Sequence, residues 1–320
     1  MRQLSFLVLT DHSGHSQENS LYALVSTLND DPRCKSIAVA SRGDARNAAF
    51  FRGAGSQVQG ILVLTGLNYE ADGGLFKAAK HTLDPQDYDV VWLRLPHPVP
   101  QPFFDYLEKL TAGGDGPLIV NDPRGIQETG DKSYLLNFPE LTPPLRLTRT
   151  AGEVREFAEQ FPIVLKPLRA YGGKGIHKID TPAQLQGVNF DRPYLAMKFL
   201  KNVDQGDKRI LVVNGSILAA SLRIPAAGDW LCNVAQGGRS EGAGIAPEEE
   251  AMVAALMPEL LRRGICFAGI DTLVDDNGKR VLSEINTLSI GGFPQAERQT
   301  GRPILQQTIN EFLTYCYDHL

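Results

Sequence analysis

The sequence predicts an α/β fold over its first part and an α+β fold over its second. Short apolar segments alternate with helix-like stretches up to Val120, the pattern of a doubly wound parallel sheet. Beyond that point, strand-like segments follow one another across tight turns, which is how antiparallel sheets are connected. Glycine makes up 31 of 320 residues, a modest excess over the usual ~7%, and one cluster of it sits between two strand-like segments.

In order, Ser5–Leu9 is a continuous apolar run and reads as a buried strand. Ser20–Leu28 carries helical spacing, and Ile37–Ala40 and Gly60–Leu64 read as strands. Tyr88–Leu93 is a further strand, entered through Asp84-Pro85; Phe103–Leu110 is a helix and Pro117–Val120 a strand. The loop Asp11–Asn19, with His12 and His15, follows the first strand, the end at which such sheets bind ligands. A plain polar surface loop is the simpler reading of it.

In the second part, Ile163–Leu168 and Ile176–Asp180 flank a glycine-rich turn and form a hairpin. Tyr194–Leu200, Lys208–Val213 and Ser216–Ile224 read as antiparallel strands, with Asn214-Gly215 as a two-residue turn. Pro247–Arg263 begins with Glu248–Glu250, ends with Arg262-Arg263 and stops at Gly264, a charge order that suits the helix dipole. Phe267–Val274 and Lys279–Ile285 make another strand pair, and Ile304–Leu313 a last helix. A boundary near Asn121-Asp122 gives domains 1–121 and 122–320.

Composition excludes several classes. With 42% hydrophobic and 22% charged residues the chain is neither disordered nor fibrous. A net charge of −5 lacks the basic footprint of a nucleic-acid binder. No apolar run reaches the ~20 residues of a membrane-spanning helix. The N-terminal segment reads as a strand, not a signal peptide. Cys34, Cys232, Cys266 and Cys316 lie far apart with no CxxC pair, so no zinc site or disulfide framework is indicated, and Cys232 and Cys266 read as small core residues. A cytoplasmic protein is expected.

Three clusters carry chemistry. In Lys166-Pro167-Leu168-Arg169-Ala170-Tyr171-Gly172-Gly173-Lys174-Gly175, glycines allow backbone amides to approach phosphate oxygens. The segment leads into a strand, so it is neither a Walker A loop nor a dinucleotide fingerprint; a plain hairpin turn is the alternative. Second, Glu284 and Asn286 share a strand face, and a turn centred on Asn277-Gly278 would put Asp271 opposite Asn286. Oxygen donors so placed suit Mg²⁺, and a solvated strand face is the bland reading. Third, Lys208, Arg209, Arg223 and Arg239 supply the charge that phosphate and carboxylate ligands need, although each taken singly reads as a surface charge.

The order of these clusters resembles the ATP-grasp ligases, most closely the bacterial glutathione synthetase group. The resemblance rests on Asn121-Asp122-Pro123, Val164-Leu165-Lys166-Pro167, Gly172-Gly173-Lys174-Gly175, Gly206-Asp207-Lys208-Arg209-Ile210-Leu211-Val212-Val213, Arg223-Ile224-Pro225, Asn233 through Arg239, Gly269-Ile270-Asp271 and Glu284-Ile285-Asn286. It spans about Tyr88 to Asn286.

The resemblance implies a two-lobed ATP-grasp domain after the first sheet, with lobes at about 122–200 and 201–320. It implies Lys132, Lys166 and Gly172, Gly173, Lys174 and Gly175 at the ATP phosphates, Met197, Lys198, Phe199 and Leu200 at adenine, and Asp207 at the ribose. Asp271, Glu284 and Asn286 would hold two Mg²⁺ ions, with Mn²⁺ able to substitute. Arg209, Arg223 and Arg239 would be catalytic. Arg94, Arg209, Arg223, Asn233, Gly237, Gly238, Gly291 and Gly292 would contact the small-molecule substrates.

The implied activity is an ATP-dependent carboxylate–amine ligation through an acyl phosphate, in a homo-oligomer (dimer or tetramer). Glutathione synthesis is the leading form, a different donor–acceptor pair the second, and a non-catalytic nucleotide-binding regulator the alternative of another class. The chain departs from the group at Thr287-Leu288-Ser289-Ile290-Gly291-Gly292-Phe293, where a Ser-Pro-Thr type segment is usual, and in the Asp11–Asn19 loop.

Overall fold

The computed structural model describes residues 2–320, apart from 79–80, 171–172, 227 and 233–237. Three sheets organise the chain. The first comprises β1 (Leu4–Thr10), β2 (Cys34–Ser41), β3 (Val58–Val63), β4 (His81–Leu83), β5 (Val90–Arg94) and β6 (Leu118–Val120), in the order β4-β3-β2-β1-β5-β6. Helices α1 (Ser20–Asn29), α2 (Gly74–Lys77) and α3 (Gln101–Thr111) lie between its strands.

The wholly parallel sheet expected from sequence is corrected at one edge. β2, β1, β5 and β6 run parallel, but β3 pairs antiparallel with β2, and β4 with β3. A parallel return needs a crossover, usually a helix. Only the 3₁₀ turns Ala45–Asn47 and Phe50–Arg52 separate β2 from β3, so the chain doubles back.

After α4 (Pro123–Thr129) the second sheet has the order β7-β10-β8-β9: β7 (Leu145–Thr148), β8 (Ile163–Pro167), β9 (His177–Ile179) and β10 (Tyr194–Lys198), with α5 (Ala151–Ala158) against it. Ile163, Leu165, Tyr194 and Ala196 pack with Val154 of α5 into a small core of their own. Strand alternation turns the intervening Val164 and Lys166 to the other face.

The third sheet is β11 (Asp207–Val213), β12 (Ser216–Ile224), β13 (Arg239–Ala243), β14 (Phe267–Val274) and β15 (Arg280–Asn286), ordered β13-β12-β11-β14-β15 and antiparallel throughout. Helices α6 (Pro247–Arg262), α7 (Phe293–Thr300) and α8 (Ile304–His319) complete the chain. Met252, Leu256 and Leu260 of α6 pack with Ile210, Val212 and Ile270. On the opposite face Leu211 and Val213 join α7 and α8.

The first and third sheets share both of these cores. Leu7, Leu9, Val91 and Leu93 enter the α6 cluster, while Phe6, Val8 and Trp92 enter the α8 cluster. The Phe312 ring of α8 packs with its centroid 4.6 Å from that of Trp92, 5.4 Å from Phe267 and 5.8 Å from Phe6, in tilted and edge-on contacts. The buried Asn121 carboxamide joins the sheets with polar contacts. It donates to the Phe267 and Thr287 carbonyls (2.8 and 2.6 Å) and accepts from the Cys266 and Phe267 amides.

Candidate active site

A cleft of ≈ 410 Å³ opens between the second and third sheets. Val164, Lys166, Met197, Lys198, Phe199 and Leu200 come to it from β8, β10 and the residues just beyond β10; Asp207, Arg209, Arg223, Asp271, Glu284 and Asn286 come from β11, β12, β14 and β15. These residues belong to all three clusters singled out in the sequence.

Strand geometry explains the gathering. Alternation along β11 sends Asp207 and Arg209 to the cleft and Lys208 to the opposite face. There Lys208 donates to Glu249 (2.6 Å) and to the Gly244 carbonyl (2.9 Å), and Thr272 donates to the other Glu249 oxygen (3.1 Å). Glu249 is fully buried, so this ion pair holds α6 against β11 and β14. The adjacent pairing of Arg209 with Asp271 then falls on the cleft side.

The expected register of Asp271 is corrected. Asp271 pairs with Glu284, and Asn286 pairs with Gly269. The turn sets most of this: Val274 pairs with Arg280 and Thr272 with Leu282, a register that runs Asp271 toward Ser283, and Ser283 is the extra residue of a bulge that moves the partner on by one, to Glu284. Ser283 donates to the Asp271 carbonyl (3.0 Å) and fixes the bulge. Asp271, Glu284 and Asn286 still share a face, with Asn286 Nδ2 3.2 Å from Asp271 Oδ2.

Asp271 is the electrostatic centre. It is 2% exposed. Arg209 donates to both its oxygens (2.7 and 2.6 Å), and Arg223 donates to one (2.9 Å). Burial alone would raise its carboxyl, but the two guanidiniums outweigh burial and hold it well below the usual range. Arg223 also donates to Asp207 (2.7 Å). Burial and the neighbouring Asp271 charge push the Asp207 carboxyl upward against Arg223. Burial pulls the Lys166 ammonium down, opposed by Glu284; its Nζ donates to the Ser283 carbonyl (3.3 Å). Lys132 lies 3.3 Å from Glu284 and donates to the Ala170 carbonyl.

Other sequence candidates fall elsewhere. Gly173 lines the cleft, while Lys174 and Gly175 are exposed on the same turn. Gly172, Asn233 and Gly237 lie outside the described residues. Gly238 precedes β13, and Arg239 is exposed at that strand's edge, away from the cleft lining. Arg94 is 3% exposed and donates to the Ile290 carbonyl (2.5 Å). Burial lowers its guanidinium to about 10. It pins the 287–293 segment from beneath. Gly291 and Gly292 lie beside Ser20, whose hydroxyl accepts from the Gly292 amide (3.0 Å).

The cleft also holds residues that sequence reasoning missed. Trp230, Leu231 and Cys232 line it opposite the second sheet. Cys232 is therefore a wall of the cleft rather than a core residue, while Cys266 is buried as expected. The available signal was a tryptophan in the linker between two strands, where turn residues are usual.

The comparisons with known proteins agree with this geometry. Residues 131–301 match the family model of the prokaryotic glutathione synthetase ATP-grasp domain. The chain belongs to this family. A glutathione synthetase of Bradyrhizobium diazoefficiens is 32% identical over 222 residues, covering 67% of this chain and 69% of that one. One from Brucella melitensis is 33% identical over 229 residues, covering 69% and 72%. Among solved structures, the D-cycloserine synthetase DcsG superposes with a TM-score of 0.65 at 11% identity over 98% of this chain and 99% of its own, a likeness of fold alone. This family member is an ATP-dependent, glutathione-synthetase-like C–N ligase. The family uses ATP and divalent metal, and no described helix is long and apolar enough to cross a membrane.

Proposed function

We propose that the enzyme joins the glycyl-accepting carboxyl of γ-glutamylcysteine to glycine at the expense of ATP. The observation that carries this is the convergence on one cleft of Lys166, the Asp271–Glu284–Asn286 face and the Arg209–Arg223 pair. The base would lie against Met197–Leu200, the ribose at Asp207 and the phosphates at Lys132, Lys166 and the Gly172–Gly175 turn.

The donor set fits Mg²⁺. Asp271, Glu284 and the Asn286 carbonyl are hard oxygen ligands on one face. Among the described residues no group of three or more His, Cys, Asp or Glu side chains forms a metal cage by itself. Two carboxylates completed by substrate phosphates is the usual Mg²⁺ arrangement. We place two ions there, with Mn²⁺ as a substitute; bound, they supply charge neutralisation at the phosphates.

In this reading the donor carboxylate attacks the γ-phosphorus, an O–P bond forms and ADP leaves. Lys132 and Lys166 hold the phosphate charge during transfer. The amine nitrogen then attacks the acyl carbon, an amide bond forms, inorganic phosphate leaves, and the ammonium proton passes to phosphate or water. Arg209 and Arg223 stabilise the acyl phosphate and the oxyanion that develops from it; Arg239, Asn233, Gly237 and Gly238 would complete the acceptor side. Phosphoryl transfer of this kind needs no covalent enzyme intermediate.

The domain division follows the same reading: residues 1–121 carry the donor-binding sheet, with lobes at about 122–200 and 201–320. Small-molecule substrates, a homo-oligomer and a cytoplasmic location belong to it as well. A second reading, ligation of a different donor and amine, is favoured by one feature. Arg94 supports Ile290 from a buried position, and the Gly291-Gly292 turn it helps to place departs from the family pattern.

Phosphate release in Mg-ATP, assayed across paired amino acids and peptides, tests the proposal. The expected result is release that depends on both γ-glutamylcysteine and glycine. Release with another pair alone would replace the first reading with the second.

A further inference from the structure

We infer that Arg280 is a positioning residue of the ligation: from the rear of the third sheet it fixes the spacing of Asp207 and Asp271, which face the cleft. The inference rests on the site proposed above. Arg280 itself is not among the residues that line the cleft.

The strand ladders leave this spacing open at one end. β11 pairs with β14 from Lys208 to Val213, opposite Thr272 to Phe267. Asp207 lies one residue outside that ladder and pairs with Arg223 of β12 instead. Gly206 before it has φ +89°, so the chain turns out of the extended form there. In the cleft Arg223 spans the gap by donating to both carboxylates, at 2.7 Å to Asp207 and 2.9 Å to Asp271.

Arg280 spans the same gap from behind. It opens β15 opposite Val274, and alternation puts it on the face of Leu282, the α6 side. Its Nη1 donates to the Gly206 carbonyl (3.2 Å) and to the Thr272 carbonyl (3.1 Å). These carbonyls belong to the residues that adjoin Asp207 and Asp271 in sequence. The guanidinium is turned to the backbone and not to an ion-pair partner. Glu249 lies 3.8 Å from its Nε, beyond hydrogen-bond reach. That carboxylate accepts instead from Lys208, Thr272 and the Ala246 amide (2.6, 3.1 and 3.0 Å). An arginine placed for charge alone would present its fork to the carboxylate. The Arg280 side chain is 12% exposed, so the brace is held within the fold. Its precision matters, because a displacement of ~1 Å among catalytic groups can cost about 10²-fold in rate.

Two variants test the brace. R280M keeps the apolar stem and removes both hydrogen bonds, and R280K keeps the charge but offers one ammonium in place of the planar fork. K279M, at the exposed neighbouring position, is the control. Phosphate release in Mg-ATP is measured across a Mg²⁺ series, with a donor–acceptor pair that the wild type turns over. Rates are scaled to the fraction folded at the assay temperature, taken from thermal melts. R280M is expected to lower the scaled kcat about 10- to 100-fold and to raise the Mg²⁺ concentration for half-maximal rate. R280K should fall between R280M and wild type, and K279M should match wild type. An arginine that only stabilised the fold would lower Tm and leave the scaled kcat and the Mg²⁺ dependence unchanged. That result in R280M, or in R280K where R280M does not fold, overturns the inference and leaves the proposed function standing. A wild type that releases no phosphate from Mg-ATP with any pair overturns both.

Discussion

Asp271 answers to two demands at once. As a buried carboxylate it needs counter-charge, and Arg209 and Arg223 provide it. As a candidate metal ligand it needs lone pairs directed at the cleft. Removing one partner of a buried pair leaves the others uncompensated. D271N is expected to lose about 3–5 kcal/mol of stability, read from urea unfolding. E284Q keeps size and shape and disturbs one ion pair to Lys132, so it should fold normally yet lose Mg-dependent ATP turnover. Full amide synthesis by E284Q would refute the metal assignment. At this scale the sequence was informative where chemistry needs particular residue types in strand alternation: Lys166, Arg209, Arg223, Asp271, Glu284 and Asn286 all reach the cleft. Trp230 was not legible, because nothing local marks which wall a linker aromatic will join. Arg94 was legible as a residue but not as a buried one.

Single elements carry the local devices. The extra Ser283 in β15 decides that Glu284, not Ser283 itself, stands across from Asp271. A bulge is set by cross-strand packing and leaves little mark on one strand's sequence. Loops at the carboxyl ends of the parallel strands hold another device. His15 lies between Thr10 Oγ1 (3.1 Å) and the Tyr22 hydroxyl (2.8 Å). Burial, with the nearby His12 and Arg94 charges, pulls it from 6.5 to about 4. Burial and Lys132, Arg42 and Arg169 do the same to His97. Between pH 6.5 and 4 the unfolded chain therefore binds more protons than the folded one. Stability is full above the unfolded value and falls as pH drops through this window. The Tm is expected to decline across it, and H15Q, which cannot titrate, should flatten part of that decline. An identical profile for H15Q would remove His15 from the account.

The whole molecule is built on shared cores. Alternating strands and helices up to Val120, followed by hairpins, were readable because periodicity reports burial. The antiparallel edge at β3 was not, since direction depends on the path between strands. Nor was the placement of α8, whose apolar face names no partner. Phe312 is fully buried against rings from two sheets. F312A is expected to cost about 3–5 kcal/mol, measured by denaturant unfolding. A loss below ~1 kcal/mol would mean that α8 is dispensable to the first sheet.

The docking of α8 also bears on how the chain is made. Phe6 and Trp92 leave the ribosome early, and the ring that covers them comes roughly 300 residues after Phe6. At ~5–20 residues per second, Phe6 waits ~15–60 s for its partner. From the completion of β6 at Val120 until Phe312 is made, the nascent first sheet presents an aromatic face to its surroundings. Synthesis of this enzyme thus includes a period of exposure, which should lengthen as translation slows.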